Sequence, residues 1–102
     1  MPMEIIKKIV SNIDDELEDA QKYIDCAYKE KESHPTLADL YYKLSLEEMK
    51  HVDMLHEEVV RVISEYKKTN EVPTGMQAIY DYVHEREMEW ASKIKYKQNN
   101  FR

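Results

Sequence analysis

Chain breakers are scarce in this sequence: one glycine, Gly75, and three prolines, Pro2, Pro35 and Pro73, among 102 residues. With Glu, Lys, Leu and Met abundant, so few breakers point to an all-helical chain. Cysteine is nearly absent as well. Cys26 stands alone, which excludes an internal disulfide and fits a reducing compartment such as the cytoplasm. Positive charge is in deficit: 15 Lys and Arg against 21 Asp and Glu leave a formal charge of -6 and a pI near 5.2. That balance argues against a nucleic-acid or other phosphate-coated partner, which would call for a basic surface. No apolar run approaches the ~18 residues that suggest a membrane span. The opening MPMEIIKKIV has too short an apolar part, and no small-residue cleavage site, to read as a signal peptide.

What is present is helical patterning. The length suits one domain, residues 1–102, with a modest core that association would enlarge. Two breaks divide it. One is SHP at Ser33 to Pro35, where proline suits a first helical turn and drives its predecessor out of helical geometry. The other is TNEVPTG, Thr69 to Gly75. The predicted helices cover about 3–32, 35–69 and 75–98. Short connections make them antiparallel neighbours, an up-down-up arrangement.

Each predicted helix carries an apolar face with acid inside it. In the second, Leu37, Tyr41, Leu44, Glu48, His51, Leu55, Val59, Val62 and Tyr66 follow one another by three or four, so they form one stripe. Glu48 and His51 stand where the period calls for Leu or Val. In the third, Met76, Val83, Glu87, Trp90 and Ile94 form a stripe that contains Glu87. In the first, a wide arc runs through Ile5, Ile6, Ile9, Ile13, Leu17, Ala20, Tyr23, Ile24 and Ala27. Glu16 lies within that arc, whereas Glu18 lies on the far side.

An unpaired carboxylate in a helical core is expensive, so it neutralises or finds a cation. Folding back at Pro35 and again near Val72, at ~1.5 Å per residue, brings Glu16, His51 and Glu87 to within about a turn of one level. Glu48 and His51, three apart, share a helix face and can both reach one ion. Glu-x-x-His from paired helices, with a Glu from each of two others, is the ligand set of carboxylate-bridged dinuclear sites in four-helix bundles. The mixed oxygen and nitrogen donors suit Fe, Mn or Zn. The same residues also fit a metal-free polar layer that sets helix register, with His51 paired to Glu47 or Glu48.

Other features are open to two readings. His84 precedes Glu87 by three and is either a further ligand or a packing residue. Tyr23 and Tyr41 read as core tyrosines or as neighbours of a metal. The acidic DDELED run, including Asp14, reads as a solvated face, and His34 and His56 as solvent-facing. The six methionines read as core filling. Cys26 has no partner.

Two stretches, ELEDAQKY in the first helix and the proline-led segment ending in LEEMKH in the second, resemble the ferritin-like superfamily. The half-bundle encapsulated ferritins are nearest and rubrerythrin-type proteins more distant. Glu16, Leu17, Glu18 and Tyr23 match the E-L-E…Y pattern of the first helix; Pro35, Glu47, Glu48 and His51 match the E-E-x-x-H helix. The turn is about two residues longer here, which leaves Glu18 in competition with Glu16; the stripe favours Glu16. The likeness spans roughly residues 10 to 66. It implies a ferritin-like bundle formed on oligomerisation, with a homodimer sharing a dinuclear iron site that oxidises Fe(II) (ferroxidase). Glu16, Glu48 and His51 would serve from each chain, since one chain has a single Glu-x-x-His. Glu87 or His84 would complete or support the shell. The longer third helix departs from that pattern, and KYKQNNFR is no recognisable encapsulin-targeting tail. MQAIYDYVHERE is similar to small proteins of bacteria and their phages, a likeness that implies no activity. The rival expectations are a non-catalytic helical interaction or structural protein, and a zinc-binding bundle without redox chemistry.

Overall fold

A computed structural model describes residues 2–102, all helix and connection: α1 (Pro2–Glu30), α2 (Pro35–Lys67) and α3 (Thr74–Asn99). The helix bounds fall within two residues of those expected from the breaks. Pro35 occupies the first turn of α2 behind His34, whose backbone is extended (φ -139°). Pro73 stands one residue earlier relative to its helix, as the extended cap residue before α3. Gly75 lies inside the first turn of α3, and no described glycine has a positive φ. The second break is therefore the work of Pro73 and the polar residues before it, not of glycine freedom.

α1 and α2 share the long seam. Its centre on α1 is Ile6, Ile9, Ile13, Leu17, Ala20, Ile24 and Ala27. On α2 it is Ala38, Ser45, Met49, Val52 and Val59. Rising numbers on α1 meet falling numbers on α2: Glu16 meets His51, Ala20 meets Ser45, Tyr23 stacks on Tyr41. The arc expected on α1 is buried except at Ile5, which is exposed, and Tyr23, which is half-buried.

α3 packs along one side of this pair. A buried polar thread fixes its register: Gln98 Nε2 donates to Ser45 Oγ at 2.8 Å, and Ser45 Oγ donates to the Ala20 carbonyl at 2.7 Å. One hydroxyl thus joins all three helices and leaves its own donor and acceptor satisfied, which makes a fully buried serine tolerable. Trp90 Nε1 donates to Gln21 Oε1 at 2.6 Å. At the far end Phe101 closes the core, stacked on Tyr42 and edge-on to Tyr28, with the Lys31 ammonium over its ring and bonded to its carbonyl. Gln98 and Phe101 both belong to the closing stretch KYKQNNFR.

The molecule is a rod of 56 × 17 × 17 Å. Its radius of gyration is 16.4 Å, where a compact chain of this length would have about 13 Å. It exposes 6948 Å², against about 6,100 Å² for a compact monomer of its mass. The excess follows from the layout, because α3 covers only one side of the α1–α2 seam. No described helix is long and apolar enough to cross a membrane.

Leu17 has no exposed surface, whereas Tyr82 is 69% exposed. Leu17→Ala is expected to cost about 3 kcal/mol in urea unfolding, and Tyr82→Ala under about 0.5 kcal/mol. Similar losses for the two would contradict the core assignment.

Candidate metal centre

The buried centre of α2 lies about 75° around the helix from the stripe that contains Glu48 and His51, counting 100° per residue. That stripe is the flank of the core face, not its middle. Leu37 at its head is exposed, and Tyr41, Leu44, Leu55 and Val62 are half-buried. Glu16 and Tyr23 occupy the matching flank of α1. The side chains at the centre of the stripe are therefore not hidden from water in one chain. His51 is 50% exposed, Glu16 28% and Glu48 19%. The reason is positional: α3 packs against the opposite flank, through Asp14 and Gln21 of α1 and Ser45, His56 and Tyr42 of α2.

Glu16, Glu48 and His51 nonetheless converge. One donor atom from each lies within 4.8 Å of the other two. His51 Nδ1 is 3.4 Å from Glu16 Oε2 and 3.8 Å from Glu48 Oε2. The register of α1 on α2, set by the Ser45 bond to Ala20 one turn away, puts Glu16 opposite this pair. Glu18, the competitor in the sequence, is exposed and outside the group. The donor set is two carboxylates and one imidazole on mid-helix backbone, with the imidazole half exposed. It can bind a borderline or hard cation and leave coordination positions free. It can equally form an inter-helix ion pair when His51 is protonated. Tyr23 and Tyr41 stack about two turns away on the same open face, ring centroids 6.1 Å apart.

Glu87 and His84 are not brought into this group. Glu87 is 4% exposed at the α1–α3 seam, on the other side of the molecule, where it meets Asp14. Asp14 Oδ1 and Glu87 Oε2 are the buried side-chain oxygens without a partner among the described residues, if both acids are ionised. A single proton removes the difficulty. Burial, then a hydrogen bond to Asp14, then the Asp14 charge push the Glu87 carboxyl up to about 8, with Arg86 opposing. Protonated Glu87 donates to Asp14, whose other oxygen is 3.8 Å from Arg86. Asp14, expected on a solvated face, is half-buried and is the partner of the buried Glu87. Of the two outcomes open to an acid in the stripe, neutralisation or a cation, the surroundings of Glu87 favour the first.

His84 stacks on His56 at 4.7 Å and on Tyr80 at 5.8 Å. His56, expected in solvent, is half-buried there; burial and then the neighbouring His84 hold its imidazole below the ordinary value. The sequence hid this because His56 lies off the stripe by which α2 was read. Its position on the α3-facing side depends on where α3 packs.

No protein-family model, curated protein or solved structure matches this chain.

The buried acid pair predicts a pH dependence. Below the ordinary glutamate value of 4.5, Glu87 is protonated in the folded and the unfolded chain, and its contribution is complete. From there to about 8 only the unfolded chain releases the proton, so stability falls by up to about 1.4 kcal/mol per pH unit, then levels off. In Glu87→Gln the amide donates to Asp14 without titrating. Urea unfolding across this range is expected to show a flatter profile for the variant and a higher midpoint near pH 8. Parallel profiles would refute the pair.

Proposed function

We propose that this chain binds iron and oxidises Fe(II) at a dinuclear site shared by two copies, within a ferritin-like bundle of antiparallel helices. The observation that carries the reading is the convergence of Glu16, Glu48 and His51 on the face that α3 leaves open. Three donors are too few for an iron ion, which commonly takes about six. A second copy laid on the same face about a twofold axis would bring three more, giving four carboxylates and two imidazoles around two metals, the composition of carboxylate-bridged dinuclear sites. The resemblance of ELEDAQKY and LEEMKH to the half-bundle ferritins supports the same assembly. So do the rod shape, the excess surface and the exposed Leu37 and Ile5, each about three turns along its helix from the acidic centre.

In this reading the bound metal supplies one-electron exchange with dioxygen or peroxide. Glu16 and Glu48 hold it and offset its positive charge. His51 presents Nδ1 as the neutral terminal donor, a role that keeps the imidazole unprotonated when loaded. The apolar flank residues Leu44 and Leu55, covered by the second copy, would exclude water and strengthen each electrostatic contact. Glu87 and His84 support α3 packing and take no part in binding. A lone cysteine fits a reducing, cytoplasmic setting, where Fe(II) persists.

A second reading rests on the 3.4 Å separation of His51 and Glu16 and the half-exposed imidazole. It is a non-catalytic helical interaction protein whose Glu–His cluster is an ion pair between helices. Metal analysis with native mass, on protein grown with iron and purified without nickel, separates the two. The iron reading expects a dimer with about one iron per chain, lost in Glu48→Ala and His51→Ala and kept in Glu18→Ala and Glu87→Gln. It also expects aerobic Fe(II) oxidation above the spontaneous rate. A metal-free monomer indifferent to Glu48→Ala leaves the ion pair standing, and zinc retention without oxidation assigns a zinc site.

A further inference from the structure

The open end of the rod holds a feature that the metal reading does not use. Where α3 begins, it stands off α1 and the end of α2 and leaves a half-open cavity of about 230 Å³. All three helices wall it, with Ile6 and Val10 from α1, Ile63 from α2, and Met76, Tyr80 and Val83 from α3. A dry apolar cavity of about 150 Å³ already holds benzene, so this one has room for a longer alkyl chain. Well-packed interiors seldom leave such a space.

Two charged side chains border it, Lys7 and Asp14. They differ in what they already hold. Asp14 has Arg86 on one oxygen and Glu87 on the other. Lys7, the one basic residue among the lining, enters no ion pair or side-chain hydrogen bond among the described residues, as is also true of Lys8, Lys22 and Lys29 of α1. It lies two turns from Asp14, about 10 Å along α1, so an anion at Lys7 sits away from that carboxylate. An apolar chamber with one unpaired ammonium at its border suits an amphiphile with an anionic head.

We propose that this cavity binds a medium-chain carboxylate, its alkyl chain against the apolar walls and its head group on Lys7. The walls supply affinity in proportion to the methylenes buried, and Lys7 selects the charge of the head group.

Methyl NMR at neutral pH tests this on the full chain, titrating hexanoate, heptanoate, octanoate, octanol and octylamine below their aggregation concentrations. Shifts are expected at the methyls of Ile6, Ile63, Ile79 and Val83 and not at those of Leu44 or Leu55. Affinity is expected to rise about fourfold per added methylene until the cavity is full. Lys7→Gln is expected to weaken octanoate about fivefold and leave octanol unchanged, while Val83→Trp, filling the chamber, abolishes both. Circular dichroism establishes that the tryptophan variant is folded; if it is not, the Lys7 variant and the chain-length series decide. Octylamine binding as tightly as octanoate, affinity independent of chain length, or a chamber occupied by a second copy of the chain that octanoate does not displace, would each overturn the proposal. None of these outcomes depends on iron, so the two readings fail separately.

Discussion

The apolar seam between α1 and α2 is the contact on which the rest of the molecule depends. Ile13, Leu17, Ala20 and Ile24 fit against Ser45, Met49 and Val52, and their burial is the main force that turns two long helices into a rod. A seam between two helices has two flanks. The third helix covers one and leaves the other, with its half-buried leucines and tyrosines, facing outward. The polar thread from Gln98 through Ser45 to Ala20 ties α3 to both other helices in the placement it takes, with each of its polar groups satisfied.

This asymmetry gives the acidic residues two different fates. On the covered flank, Glu87 is removed from water with only another acid beside it, and a proton is the smallest group that can reconcile the two. On the open flank, Glu16 and Glu48 stay partly hydrated and have His51 within reach, so water and the imidazole are both at hand for them. Similar residues at similar depth in the stripe pattern thus end in different chemistry. The surface α3 leaves uncovered is what makes a shared site between copies a reasonable reading, and the chamber beside the start of α3 is the other consequence of one helix covering two imperfectly.

The helices were legible because their causes are local. Pro35 and Pro73 stop and start the chain by sterics, and the three-to-four spacing of Ile9, Ile13, Leu17, Ala20 and Ile24 announces a face without reference to anything else. The trio of Glu16, Glu48 and His51 was legible for nearly the same reason: a Glu-x-x-His needs only one helix, and Glu16 follows once the turn at Pro35 sets the count along α1 and α2. Glu87 was legible as a buried acid but not as the partner of Asp14. Asp14 lies off the α1 arc, and only the packing of α3 brings Glu87 against it and half-buries it.

Sequence alone determined where each helix begins and ends, which faces are apolar, and which polar residues interrupt them, since these depend on backbone sterics and periodicity within one helix. It could not determine which side of the α1–α2 pair α3 would take. That choice rests on contacts between residues more than fifty apart, Gln98 with Ser45, Trp90 with Gln21, Phe101 with Tyr42, whose joint satisfaction exists only in three dimensions. Because that choice sets what is dry and what is wet, only the tertiary structure decided that Glu87 would hold a proton while Glu16, Glu48 and His51 would face outward together.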